Sequence, residues 1–174
     1  IIGLDMLKSV FQAHGVDGGG EVALRRKLQR SEIVPFFTKL APCTVAMAAC
    51  GAAHHWARVL GGLGHEVRLV APEAVRPFVK RSKKNDAVDA AAICAAASRP
   101  EARFVPVKSV GQQGILALHA ARDLLVKQQT MLANAARGLA TEFGLVVPQG
   151  LGRLEDLEAL VAGSGAVPEE ARRA

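Results

Sequence analysis

Two aspartates spaced i, i+3, Asp86 and Asp89, follow directly on the basic run Lys80-Arg81-Ser82-Lys83-Lys84. The alanine-rich segment from Ala90 to Ala97 comes next, so the second half reads as a helix with Asn85 or Asp86 near its cap. A spacing of three sets Asp86 and Asp89 on one helical face. Paired carboxylates hold hard divalent cations through oxygen, and neighbouring lysines and arginines hold phosphates, which together equip a chain for phosphodiester chemistry. The same residues suit a plain capped helix start behind a solvated basic loop, because the helix dipole favours aspartate there. A further carboxylate, Asp5, closes the apolar segment Ile1-Ile2-Gly3-Leu4. Carboxylates gathered in one pocket repel one another until cations enter, so a strand delivering Asp5 beside the helix from Asp86 would form a trap for hard divalent cations. Arg76, Lys80, Arg81, Lys83 and Lys84 fall within nine residues. Phosphates would relieve their repulsion, and a solvated face is the other reading. Lys8 stands three residues after Asp5, placed for a phosphate or as an ordinary surface lysine.

The elements that must carry these groups can be read in order. Ile1 to Asp5 is a short strand, Ser9 to Val16 a second, and Asp17-Gly18-Gly19-Gly20 a tight turn. Glu21 to Leu28 alternates as the return strand, with Val22, Leu24 and Arg26 on one face and Ala23, Arg25 and Lys27 on the other. Ser31 is placed to cap a helix running to about Leu40, before Pro42. Cys43 to Ala49 reads as a buried strand, Ala52 to Leu63 as an amphipathic helix stopped by Gly64, and His65 to Ala71 as another strand. The resulting order, β-β-β-α-β-α-β with a carboxylate ending the first strand, predicts an α/β protein of RNase H-like fold, a mixed sheet with helices on both faces. Trp56 lies with Val59 and Leu60 on the apolar helix face and reads as core. His54 and His55 point about 100° apart on a helix and do not readily share one ligand.

After Pro106 the chain changes character. No proline occurs from Val110 to Phe143, and Leu118, Leu125, Leu132 and Leu139 recur every seven residues. That repeat predicts a coiled-coil seam for a partner helix, with Arg122, Lys127 and Arg137 as basic spots. Gly144 and Pro148 to Gly152 end it, and Leu154 to Leu160 begin a short helix.

Across 174 residues the net charge is +6, and the isoelectric point is about 9.7. An anionic partner is therefore expected, nucleic acid first. The three cysteines, Cys43, Cys50 and Cys94, form no CxxC pair, which disfavours a disulfide framework or a structural zinc and fits a reducing cytoplasm. No apolar run reaches the roughly 18 residues of a membrane span, and Asp5 and Lys8 interrupt any signal-like opening. The chain opens on Ile1 and stops within Pro168-Glu169-Glu170-Ala171-Arg172-Arg173, so a piece of a longer protein is expected.

The segments GLD-x-x-KSVFQ-x-HGVD, HHWAR-x-LGxLGHEVRL, VKR-x-x-KND-A-x-DA and FVPVKS-x-xQQ resemble the DEDD-type insertion-sequence transposases. These are the "one-ten" insertion-sequence family, guided by a bridge RNA, and the likeness runs in order from Ile2 to about Gln149. The resemblance implies a RuvC-like domain of RNase H fold at 1–105, a long helical coiled-coil arm at 106–147, and a linker opening a C-terminal region at 148–174. It implies magnesium on the RuvC-like carboxylates, and DNA and a structured guide RNA as partners. It carries the first family aspartate onto Asp5 and the last two onto Asp86 and Asp89. The family's glutamate falls in Ala46-Met47-Ala48-Ala49-Cys50, at Ala48. That departure removes a metal ligand, and the family's serine-bearing domain does not fall within these residues.

The expectation is a bacterial, cytoplasmic DNA transposase portion, truncated or degenerate, whose own catalytic competence Ala48 puts in question. Metal ligation and catalysis fall to Asp5, Asp86 and Asp89, and nucleic-acid contact to Lys8, Arg76, Lys80, Arg81, Lys83 and Lys84. A homo-oligomer through the 110–143 helix is expected, without a membrane. The alternative is a non-catalytic nucleic-acid-binding or dimerising module. A stand-alone metal nuclease or junction resolvase would need a working fourth ligand, against which Ala48 counts.

Overall fold

The computed structural model describes residues 1–79 and 86–172, with Asp86 and Ala87 described by their backbone alone. Lys80, Arg81, Lys83, Lys84 and the proposed cap Asn85 lie outside the described residues. The chain divides into two compact units, 1–109 and 110–174.

The first unit is mixed α/β. Its strands are β1 (Ile2–Met6), β2 (Val10–Val16), β3 (Val22–Gln29), β4 (Thr44–Ala48), β5 (Glu66–Val70) and β6 (Phe104–Val105). They form one six-stranded sheet in the order β3-β2-β1-β4-β5-β6. β1 pairs antiparallel with β2 and parallel with β4, β4 runs parallel to β5, and β6 returns antiparallel. The helices are α1 (Ile33–Thr38), α2 (Ala53–Gly62), α3 (Pro72–Val75) and α4 (Asp86–Ala97).

Strand alternation sends Leu4, Phe11, Leu28, Met47 and Leu69 to one face of the sheet. There they meet Ile33 and Phe37 of α1 and Trp56 and Leu60 of α2 in one core. Trp56 packs edge-on against Phe11 with ring centroids 5.2 Å apart, as its place on the apolar helix face foretold. The buried His65 is fully partnered: Nδ1 accepts from the Cys43 N–H at 3.3 Å, and Nε2 lies 3.0 Å from the Phe37 carbonyl oxygen. Gly64 ends α2 in the left-handed region at φ 92°, where glycine has no Cβ to clash. The opposite face receives α4, and its core is made of Ala46, Val70, Val75, Ala92, Ile93, Ala96 and Ala97.

Three expectations need correction. Ser31 does not cap a helix; it lies inside a 3-10 turn at Arg30–Glu32, and the Glu32 carboxylate instead accepts the Gln29 N–H at 2.6 Å. A chain leaving an edge strand already has that extended residue at the turn's start, so the carboxylate three positions on makes the reciprocal bond. The helix it leads into ends at Thr38, two residues early. Val22 does not join Leu24 inward: a bulge at Gly15/Val16 shifts the register, and Val22 is exposed.

In the second unit, α5 (Val110–Glu142) is followed by α6 (Leu154–Gly163) and α7 (Glu169–Arg172). Seven helices are thus found among the described residues. Ala140, Val147 and Leu157 make a small core with Leu145, Leu154 and Val161. Leu118, Leu125, Leu132 and Leu139 are between 62 and 73 % exposed. Among the described residues no helix is long and apolar enough to cross a membrane.

Candidate metal and nucleic-acid site

Asp5 owes its position to one close contact. A Cβ added to Gly3 would meet the Ala90 carbonyl oxygen at 2.2 Å and the Cys94 nitrogen at 2.7 Å, so the α4 backbone lies directly on β1. The Cys94 thiol reaches back to the Ile1 carbonyl oxygen at 3.7 Å. Going up β1 from Ile1 to Gly3 therefore means going down α4 from Cys94 to Ala90. Two residues more, about 7 Å along a strand, lead to Asp5, and one helical turn back from Ala90, about 5.4 Å, leads to the start of α4. Alternation turns Asp5 toward the same face as Gly3. The first turn of α4, with Asp86 and Asp89, thus stands over the end of β1.

Asp89 is half-buried, and its Oδ1 is buried without a hydrogen-bond partner among the described residues. Asp5 is half-buried as well. Its charge is felt at the end of β4: partial burial raises the Cys50 thiol above its ordinary value, and the Asp5 carboxylate adds to that rise. Ala48 sits on the neighbouring strand. Register pairs Gly3 with Ala46 and Leu4 with Met47, so Asp5 and Ala48 come next. Ala48 packs against the α4-side core, so a side chain there faces the same way as Asp5. Adjacent strands stand about 4.8 Å apart. Position 48 therefore falls beside Asp5. Among the described residues no group of three His, Cys, Asp or Glu side chains is arranged to hold a metal ion.

Of the cations read from the sequence, Lys8 is exposed just past β1, where its carbonyl oxygen accepts from Arg30 Nη1 at 3.4 Å. Arg76 is exposed in the 3-10 turn after α3. His54 and His55 do diverge. His54 Nδ1 accepts from the Lys108 N–H at 3.1 Å, while the exposed His55 packs edge-on to Trp56. Burial, then the Lys108 and Arg58 charges, hold His54 below the ordinary histidine value.

The antiparallel register adds residues that a linear reading does not join. Asp5 pairs with Gln12, which pairs with Lys27; Gly3 pairs with His14, which pairs with Arg25. Directly opposed residues point to the same face, so these polar groups continue the Asp5 side of the sheet toward its edge. The alternating Gln12 and His14 were the available signal. The strand partners that give them meaning are not.

A family model described as "Transposase", of the DEDD IS110 type, matches residues 2–144. The chain belongs to this transposase family. It is 56 % identical over 145 residues to the "Probable family 20 transposase" of Pseudomonas aeruginosa, covering 83 % of this chain and 43 % of that one. With the "Putative transposase y4pF/y4sB" of Sinorhizobium fredii it shares 50 % identity over 98 % of its own length and 44 % of the relative's. With the "Transposase for insertion sequence element IS1111A" of Coxiella burnetii it shares 44 % identity, covering 96 % and 46 % respectively. The chain thus spans somewhat less than half the length of these curated relatives.

Proposed function

We propose that this chain serves DNA transposition as the carboxylate-bearing part of an insertion-sequence transposase. In this reading residues 1–105 are an RNase H-like, RuvC-like domain, and the helix of 106–147 is a coiled-coil arm that joins a second copy through its exposed leucines. Asp5, Asp86 and Asp89 hold Mg2+ or Mn2+, and DNA and a structured guide RNA are the partners. Lys8, Arg76, Lys80, Arg81, Lys83 and Lys84 lie on their phosphates.

The observation that carries the reading is the buried Oδ1 of Asp89, without a hydrogen-bond partner among the described residues, at the start of α4 above the strand end that bears Asp5. A buried carboxylate oxygen without a donor is costly, and a hard cation satisfies it. When bound, such a cation would polarise a phosphodiester and lower the pKa of an attacking water. The protein's own contribution is to fix the carriers: the contact of α4 on Gly3 holds the two backbones, and the surrounding cations orient the phosphate chain. Ala48 withholds one ligand, so cation affinity is reduced.

The test is a titration of Mg2+ and Mn2+ into the native chain, Ala48→Glu and Asp89→Asn, followed by calorimetry and by the shift in melting temperature. We expect weak binding by the native chain, tighter binding by Ala48→Glu, and none by Asp89→Asn. Indifference of all three to metal would discard the carboxylate site. Ala48 also favours a second reading, a nucleic-acid-binding module without chemistry, which predicts oligonucleotide affinity unchanged by EDTA in every variant.

A further inference from the structure

A cleft of about 630 Å3 opens on the α4 face of the sheet, between α4 and the β2–β3 hairpin. One wall is polar and basic, made of Gln12, His14, Arg25 and Lys27. The facing wall is apolar, with Val88, Ala91 and Ala95 of α4. None of the described residues lining it is acidic. Arg25 and Lys27 form no ion pair among the described residues. The cross-strand rows tie this cleft to Asp5, because Gln12 and Lys27 continue the Asp5 row and His14 and Arg25 the adjacent one. From Asp5 to Lys27 is two strand spacings, about 10 Å.

We infer that this cleft is a track for one single strand of nucleic acid, which runs across Gln12 and His14 toward Asp5 with phosphates on Arg25 and Lys27 and sugar and base faces on Val88, Ala91 and Ala95. It rests on the transposase reading for what the strand is, and on the cleft alone for how it is held. The two walls differ in chemistry as the two sides of a single strand do: a charged backbone, and flat apolar bases. A duplex keeps its base faces stacked inside, so it would leave the alanine wall uncovered. Cations on an edge strand also discourage sheet-to-sheet pairing, and β3 is an edge. That role accounts for Arg25 and Lys27 being charged. It does not account for an uncharged wall facing them, or for the row that leads from them to Asp5. Arg26, between them in sequence, also lines the cleft, but its side chain runs to the other face, where its guanidinium carbon lies 5.4 Å from the Phe36 ring centre.

The test is fluorescence anisotropy of a labelled thymidine dodecamer with the 174-residue chain in EDTA, at a series of salt concentrations. The Arg25→Ala, Lys27→Ala double variant should bind roughly tenfold more weakly, and its log K against log salt slope should fall by about 1.4, two phosphate contacts' worth for a single strand. Ala95→Glu, an exposed alanine on the opposite wall, should weaken binding without removing a cation. Lys39→Ala, exposed beyond α1, should change neither affinity nor slope. Should the double variant not fold, Ala95→Glu decides alone. Unchanged affinity and slope in the groove variants, or a duplex of equal length competing better than the single strand, overturns the inference. EDTA separates it from the metal reading. Strand binding that survives while the metal-induced shift is absent discards the carboxylate site and keeps the track, and the reverse discards the track only.

Discussion

On the α1–α2 side, the sheet's core is made of Phe11, Phe37, Trp56, Leu60 and Leu69, large side chains among which Phe11 and Trp56 meet edge to face. On the α4 side it is covered by Gly3, Ala46, Ala92, Ala96 and Ala97, with Asp5, Gln12 and His14 in the same strands. Large side chains bury the most area and leave little room, so the first face supplies most of the hydrophobic stabilisation. Small ones let a helix backbone approach a strand closely and hold polar groups in fixed places. In the proposed reading, one sheet assigns stability to one face and recognition to the other.

The largest effect should come from breaking the first face. Phe37→Ala is expected to cost about 3–5 kcal/mol by urea unfolding, while the fraction that remains folded binds the dodecamer with native affinity. A parallel loss of affinity would mean that the faces are not separable. Gly3→Ala attacks the second face. Its Cβ meets backbone atoms at 2.2 and 2.7 Å, which no rotamer relieves. We expect a loss of about 3 kcal/mol, accompanied here by weakened cation and strand binding. A melting temperature equal to native would refute the close contact.

The smallest effect is a response to acid, opposite on the two faces. His54 and His14 are both held below the ordinary histidine value, His54 by burial and then Lys108 and Arg58, His14 by burial and then Arg25. The unfolded chain then takes up protons below about pH 6.5 that the folded chain refuses. Their contribution is therefore present above that pH and is lost as pH falls toward the lowered folded values. Urea midpoints should decline between pH 7.5 and 5.5, and less so in His54→Gln. Dodecamer affinity should rise over the same interval, because a protonated His14 adds a cation to the cleft, and His14→Gln should abolish that rise. A flat midpoint, or a rise that persists without His14, would break the contrast.

Much of this was legible in the sequence. Period-two alternation marked β3 and β5 and placed Arg25 and Lys27 opposite Leu24, while length and the Pro42 and Gly51 borders marked β4. The β6 strand escaped because two residues carry no period. The α3 turn after Pro72 escaped because four residues are too short for a helical stripe. Asp5 and Asp89 could be named one by one, but their approach depends on Gly3 admitting the α4 backbone, and glycine carries no pattern of its own. The cleft was further out of reach, since Gln12, His14, Arg25 and Lys27 meet only through a hairpin register that a bulge at Gly15/Val16 resets.

The contact beneath α4 also has a genetic consequence. Every amino acid other than glycine brings a Cβ, so each missense change in the codon for Gly3 meets the same two backbone atoms. Codon 48 is under no such rule, since Ala48 lies only partly buried at the end of its strand. A drifting gene can therefore change codon 48 and still encode a folded protein, while any missense change at codon 3 costs the fold about 3 kcal/mol or more.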